Sequence, residues 1–258
     1  MNRTRLKKRI KGYIERTGYK LVKLDLPSSG DERREWGFID GFLLGLLTTE
    51  KRIPILQCGA NDGITHDPIR DFIVSHRDVV TAVLVEPIPD VYDKLAANYA
   101  DHENITPLNV AVGPHEAIDL YRIKPEYAAR YMGITASGIT SFNRDYVLRK
   151  AKQLLDLDGV PPEDRIERVS QTCHTVSQII DSHRSRLGDE PFLQIDTEGY
   201  DDQVIYTIDF DRHRPIAINY EITHLKSGKS EKLRDYLATK GYRCIRWGET
   251  DELAHRMD

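Results

Sequence analysis

Two groups of residues in this 258-residue chain have the types and spacing to do chemistry. The first is Gly59-Ala-Asn-Asp-Gly63, which follows the apolar run Ile53–Cys58, together with Glu86 at the end of the β-branched run Thr81–Val85. A glycine turn after a strand lets a ligand approach the backbone and aims amide N–H groups at it. A carboxylate ending the next strand can accept both hydroxyls of a ribose. Together they suit an adenosine-bearing cofactor. The GxGxxG pyrophosphate fingerprint is missing, which favours S-adenosylmethionine, a molecule with no phosphates to cradle, over NAD.

The second group is Asp196 and Glu198 in Asp196-Thr-Glu-Gly-Tyr200, with Glu221 and His224 in Tyr220-Glu-Ile-Thr-His224. Each peptide ends an apolar run, and in an open α/β sheet the carboxyl ends of the strands border the ligand crevice. His224 titrates nearest neutrality and is the expected general base toward a substrate hydroxyl, with Asp196 beside it. Hard carboxylate oxygens from Asp196 and Glu221 would also suit a divalent metal, Mg or Mn, that polarises the same hydroxyl. The bland alternative is that Asp196 and Glu198 cap the next helix and that His224 is an ordinary loop residue.

The elements that must position these residues follow a regular rhythm. Strands are expected at Ile53–Cys58, Thr81–Val85, 105–112, Phe192–Asp196, Ile216–Glu221 and Tyr242–Trp247, the last closing the fold. Between them lie helical patterns: one opening at Asp67-Pro68, one carrying Val91, Leu95 and Tyr99, one with Val204 and Ile205, and one over Ser230–Lys240 ending at Gly241. Strands alternating with helices predict an α/β fold with a mostly parallel sheet. The rhythm breaks over 114–190, which holds a short strand (Ile118–Ile123), a Gly/Ser/Thr-rich loop (133–141) and helices near Phe142–Leu155 and Val176–Ser182. This stretch reads as an insertion in a domain covering 51–258. Residues 1–50 form a separate basic, helical segment.

Composition narrows the classes. Hydrophobic residues make up 40% of the chain, too many for a disordered protein, and the net charge of −4 argues against a general nucleic-acid binder. Residues 1–24 carry nine basic residues and one acidic, a net of +8 that leaves −12 on the rest. That segment either lies on the domain with its cationic face in water or makes peripheral contact with an anionic partner, such as lipid headgroups or a phosphorylated substrate. Cys58, Cys173 and Cys244 are too far apart for a disulfide framework or a CxxC zinc site. No apolar stretch reaches the length of a membrane helix, and the amino terminus lacks the apolar core of a signal peptide. A cytoplasmic protein is expected. His66, His174, Trp36 and Trp247 read as structural or packing residues and Cys58 as a small buried hydrophobe, while Ser137 and Ser141 lie in a loop that either closes over the cofactor or is an ordinary surface loop.

Four motifs in order resemble the FkbM-type S-adenosylmethionine-dependent methyltransferases. They are Ile55-Leu-Gln-Cys-Gly-Ala-Asn-Asp-Gly63, Val85-Glu-Pro-Ile-Pro89, Asn109-Val-Ala-Val-Gly113 and Leu193-Gln-Ile-Asp-Thr-Glu-Gly-Tyr200. The resemblance implies a Rossmann-like sheet of seven strands, the last antiparallel, and methylation of a sugar or polyketide hydroxyl. It implies that Gly59, Ala60, Asn61 and Gly63 hold the methionine end of the cofactor. Glu86 would hold the ribose, Ile88 would pack on adenine, and Asn109 and Ala111 would flank it. The chain departs from the family pattern at Gln57, where an acid is common, at Gln194, where a lysine is usual, and at Thr175-Val-Ser177, where the family has Thr-Leu-Asp.

The expected activity is therefore S-adenosylmethionine-dependent O-methylation of a small-molecule or glycan acceptor. An NAD-dependent sugar oxidoreductase is the first rival, disfavoured by the missing third glycine and by the lack of a Tyr-x-x-x-Lys pair. A non-catalytic binding module on the same scaffold is the second.

Overall fold

The computed structural model describes residues 37–131, 139–154, 159–225, 228–247 and 249–257. The basic segment 1–24, Trp36, Ser137 and most of the 133–141 loop lie outside the described residues. In chain order the elements are α1 (Phe38–Leu46), β1 (Ile53–Cys58), α2 (Arg70–Ser75), β2 (Val80–Val85), α3 (Pro89–Asn98), β3 (Ile105–Leu108), β4 (Ala111–Val112), β5 (Ala117–Ile123), α4 (Pro125–Tyr131), β6 (Thr140–Ser141) and α5 (Arg144–Leu154). There follow β7 (Ile166–His174), α6 (Val176–Ser182), α7 (Arg184–Leu187), β8 (Phe192–Ile195), α8 (Asp201–Ile205), β9 (Ala217–Glu221), α9 (Lys229–Thr239), β10 (Tyr242–Trp247) and β11 (Asp251–Arg256).

Seven strands form the main sheet in the order β10-β11-β9-β8-β1-β2-β3. The five strands from β9 to β3 are parallel, and β11 runs antiparallel to both β9 and β10. The α/β, mostly parallel Rossmann-like sheet expected from the strand–helix rhythm is therefore present. Its central strands read as mostly apolar runs because helices cover both faces. On β1, Ile53 and Ile55 pack with α1, α2 and α3, whereas Leu56 and Cys58 face α6, α8 and α9. From β1 the chain steps outward one way to β2 and β3, and later the other way from β8 to β9. Strand order thus reverses between β1 and β8, where α/β folds place their ligands.

The structure corrects the expectation that Tyr242–Trp247 closes the fold. β11 follows it and inserts between β10 and β9. Its Glu252 is wholly buried, accepting from Tyr220 Oη at 2.7 Å and from Arg234 Nε at 2.8 Å. An ion pair between buried Glu252 and partly exposed Arg234 disguises the strand as a polar tail.

The candidate strand 105–112 also divides. β3 stays in the main sheet, while β4 pairs with β7 in a second sheet of order β4-β7-β5-β6. This sheet spans 111–174, and α4 and α5 pack on it through Ala128, Val147 and Ala151. Helices α6 and α7 return to the main core through Val176, Ile179, Ile180 and Leu187. Thr175 opens α6 with a capping box, exchanging hydrogen bonds with Gln178 at 3.0 and 2.8 Å. No described helix is long and apolar enough to cross a membrane.

Candidate active site

The turn after β1 is held against two neighbouring strands. Gly59 and Ala60 both donate to Val85 O of β2, at 3.0 and 2.9 Å. Gly59 has φ +85°, and a Cβ there would lie 1.8 Å from Asp196 O at the end of β8. Only glycine allows the two strand ends to close so tightly. Asn61 follows in the left-handed region (φ 50°) and donates its N–H to Glu86 Oε2 at 3.0 Å.

Glu86 is buried at the end of β2. Its Oε1 accepts Ile88 N–H at 2.9 Å, so each carboxylate oxygen holds one backbone donor and keeps a lone pair. Burial pushes its carboxyl up to about 7, against the lowering effect of those two N–H groups. Asn109 does not reach outward. Its Nδ2 donates to Glu86 O at 2.8 Å and its Oδ1 accepts Gln171 Nε2 at 3.1 Å, locking β2 to β7.

At the end of β8 the chain turns through Glu198 (φ 53°) and Gly199 (φ +91°). A Cβ on Gly199 would stand 2.9 Å from His224 O, so this glycine lets the loop after β9 close over the loop after β8. Asp201, fully buried, joins the same two loops by accepting from Thr197 Oγ1 (2.9 Å) and Glu221 N (3.1 Å). His224 Nε2 lies 3.5 Å from Glu198 Oε2 and 3.8 Å from Glu221 Oε1, and the Tyr146 ring meets its imidazole edge-on at 5.6 Å.

Four carboxylates crowd this end. Burial raises all of them: Glu198 to about 8, reinforced by Asp196, Glu221 and Asp201; Asp201 to about 8, reinforced by Asp196; Glu221 to about 7, again through Asp196; and Asp196 to about 6, with help from Asp251. Burial, with Lys150, lowers His224. A site with carboxyls raised toward neutrality beside an imidazole whose charged form is disfavoured can hold a proton or receive a cation.

A cavity of about 340 Å³ joins the two ends. Of the residues expected at a cofactor, Gly59, Ala60, Asn61, Glu86 and Ala111 line it, as does Asp196. Gly63, Ile88 and Asn109 are not among its lining residues; half-buried Pro87 lines it beside Glu86, whereas Ile88 is buried. Glu221 and His224 are not among the lining residues, but His224 lies beside Glu198, which is. The candidate metal ligands differ from the expected Asp196–Glu221 pair: the described groups with ligand atoms all within 4.8 Å of one another are Glu198, Glu221 and His224. Asp67 reads in sequence as a helix cap and also lines the cavity. Its Oδ1 accepts Ile69 and Arg70 N–H at 2.9 and 3.1 Å, and α2 begins at Arg70, two residues after Pro68. Cys58 and Trp247 pack as expected, the latter stacking on Phe38 at 5.6 Å.

Residues 57–244 match the sequence profile of the methyltransferase FkbM domain. The chain belongs to the FkbM methyltransferase family. Among solved structures it is similar to an FkbM methyltransferase from Methylobacillus flagellatus KT, at 14% identity and a TM-score of 0.47, over 86% of this chain and 48% of that one. This chain thus spans about half the length of the Methylobacillus protein. It is also similar to a precorrin-6y C5,15-methyltransferase from Geobacter metallireducens GS-15 (10% identity, TM-score 0.42, 84% of this chain and 87% of that one). A third likeness is Aeropyrum pernix fibrillarin, solved with natively bound S-adenosyl-L-methionine (14% identity, TM-score 0.37, 86% of this chain and 77% of that one). No curated protein matches the chain. Membership of the FkbM family rests on the match over 57–244, and it makes the cavity between Glu86 and Glu198 the candidate methyl-transfer site.

Proposed function

We propose that this FkbM-family methyltransferase uses S-adenosylmethionine to methylate a hydroxyl oxygen of a sugar, a glycan or a secondary metabolite. The observation that carries the reading is that one cavity is lined by both Glu86 and Glu198. Its volume of about 340 Å³ falls within the range of small-molecule sites. The cofactor fits the residues present: each Glu86 oxygen has a backbone donor already and a free lone pair for one ribose hydroxyl. When bound, S-adenosylmethionine supplies an electrophilic methyl group.

The chain's own work is then to position the acceptor and to manage one proton. Glu198 lines the cavity and accepts the hydroxyl proton. His224, 3.5 Å behind it, shares that proton, and Asp196 orients the acceptor from the same wall. This reverses the order expected from sequence, in which His224 touches the hydroxyl. Phe142 and Tyr200, with ring centroids 4.2 Å apart, add aromatic surface to a wall of carboxylates. Flat apolar faces beside hydrogen-bond acceptors suit a polyhydroxylated ring.

A second reading rests on the Glu198–Glu221–His224 cluster, which offers three ligand atoms to a divalent ion such as Mg or Mn. Chelation separates the two. Activity that survives EDTA supports the proton reading, and loss restored by added Mg or Mn supports the metal one.

The test of the function is S-adenosylhomocysteine release and product analysis with a panel of sugars, glycans and phenolic metabolites. A methyl ether is the expected product. An N- or C-methylated product overturns the acceptor class, and nicotinamide-dependent oxidation of a sugar overturns the whole reading in favour of an oxidoreductase. Tight cofactor binding without turnover on any hydroxyl favours a binding module.

A further inference from the structure

The backbone that carries Glu86 runs out of sheet partners at the cavity. Glu86 N–H donates to Leu108 O at 3.0 Å, the bond that ends the pairing of β2 with β3. Pro87 follows, and a proline has no N–H with which to continue a ladder. The carbonyls of Glu86 and Pro87 are left to side chains. Asn109 Nδ2 donates to Glu86 O at 2.8 Å, and Gln171 Nε2 donates to Pro87 O at 2.6 Å.

Gln171 belongs to β7 of the second sheet, where it pairs with Ile118 of β5, a residue that lines the cavity. Both N–H bonds of its amide are used, since Nε2 also donates to Asn109 Oδ1 at 3.1 Å. Its Oε1 accepts Thr172 N–H at 3.1 Å. Gln171 thus holds Pro87 directly and Glu86 through Asn109. A second tie lies further along the same loop. Arg122 of β5 pairs with Asp90, in the first turn of α3, and with Glu167 of β7. The path of this loop matters to the site because the Glu86 carboxylate accepts Ile88 N–H from it. Moving the loop re-aims the lone pairs that Glu86 keeps free.

A glutamine that only joined two strands could end its bonds anywhere along them. These end on the residue that lines the cavity beside Glu86 and on the residue that supports Glu86. We infer that Gln171 is a positioning residue for cofactor binding: from the second sheet it fixes the Glu86–Pro87 backbone so that the Glu86 carboxylate meets the ribose hydroxyls in one geometry. The inference rests on the proposed use of S-adenosylmethionine with Glu86 as the ribose acceptor. It gives the second sheet a part in holding the cofactor as well as in bordering the cavity.

The test is calorimetric titration of the full chain with S-adenosylhomocysteine and with its 2′,3′-dideoxy analogue, which offers Glu86 no hydroxyl. Wild type should bind S-adenosylhomocysteine at least about tenfold more tightly than the analogue. Gln171→Leu removes both donors at similar size. It should weaken S-adenosylhomocysteine at least about fivefold and leave the analogue within about twofold, because a displaced carboxylate matters only to a ligand that uses it. Gln171→Glu keeps the length of the side chain and an acceptor for Thr172 N–H, but sets an oxygen against Pro87 O and Asn109 Oδ1. It should show the same selective loss, and it carries the test if Gln171→Leu does not fold. Equal losses for both ligands, or an unchanged S-adenosylhomocysteine affinity, overturn the role of Gln171 alone. Equal affinity of wild type for the two ligands overturns the ribose assignment, and failure to bind either overturns the cofactor reading; the inference falls with each.

Discussion

Replacing Glu86 by glutamine should separate the stability of this site from its binding. In the wild type a buried carboxylate holds two backbone donors, Asn61 N–H and Ile88 N–H, and burial lifts its pKa from 4.5 to about 7. Because the folded-state pKa lies above the unfolded one, the native state binds the proton more tightly. The stability from this group is fully present below about pH 4.5 and is lost as pH rises through about 7. A rise of some 2.5 pH units corresponds to about 3 kcal/mol at full ionisation, as an order of magnitude. Glutamine cannot ionise, but its N–H₂ confronts one of the two backbone donors, a loss of about 1–2 kcal/mol. Relative to wild type, Glu86→Gln should therefore be less stable at pH 5 and equal or more stable at pH 8.5, a relative gain of about 3 kcal/mol between them. Urea unfolding at the two pH values measures this. In parallel, S-adenosylhomocysteine affinity at pH 8.5 should fall at least tenfold, because one charge-assisted acceptor of a ribose hydroxyl is lost. A variant that loses stability relative to wild type as pH rises refutes the burial argument. An unchanged affinity refutes the ribose assignment.

Glu198→Gln should lower turnover roughly 10²–10⁴-fold while leaving S-adenosylhomocysteine affinity within about threefold, and a similar loss in both would show a role in folding the site instead. With the Glu198 carboxyl raised to about 8, wild-type turnover should climb with pH through 7 to 8; a limb near pH 4–5 would contradict its use as the base. Gly59→Ala, whose Cβ would meet Asp196 O at 1.8 Å, should cost at least about 2 kcal/mol and lower the melting temperature by roughly 4 °C or more; an unshifted melt would show that the strand ends are not so closely joined. Arg234→Met leaves Glu252 buried with only Tyr220 as partner and should destabilise by about 3–5 kcal/mol in urea unfolding, whereas a loss below about 1 kcal/mol would mean the pair adds little to holding β11 in the sheet.

The central strands were legible in sequence because they are buried on both faces and so are mostly apolar, with one polar residue in each: Ile53–Cys58, Val80–Val85 and Phe192–Ile195. Edge and insertion strands carried no such signal. In β7 most residues are partly or fully exposed, and its seven-residue register with β5 depends on tertiary pairing. β11 was hidden by Asp251, Glu252, His255 and Arg256; the partners of Glu252 and Arg256 lie 18 to 66 residues away. The Glu86–glycine turn half of the site was readable from motif spacing alone. The other half was not. The orientation of Glu198 comes from a left-handed backbone at φ 53°, which periodicity does not encode. Asn109 sits at its expected strand end, yet its amide is spent on Glu86 O and Gln171, contacts that only the second sheet creates. Asp67 combines both cases, since its cap was legible and its unpartnered oxygen was not.

The most direct test of the account is calorimetric titration of the wild-type protein with S-adenosylhomocysteine and, separately, with NADH. The cavity between Glu86 and Glu198 predicts one saturable site for S-adenosylhomocysteine and none for NADH. Binding of NADH without binding of S-adenosylhomocysteine would contradict the assignment.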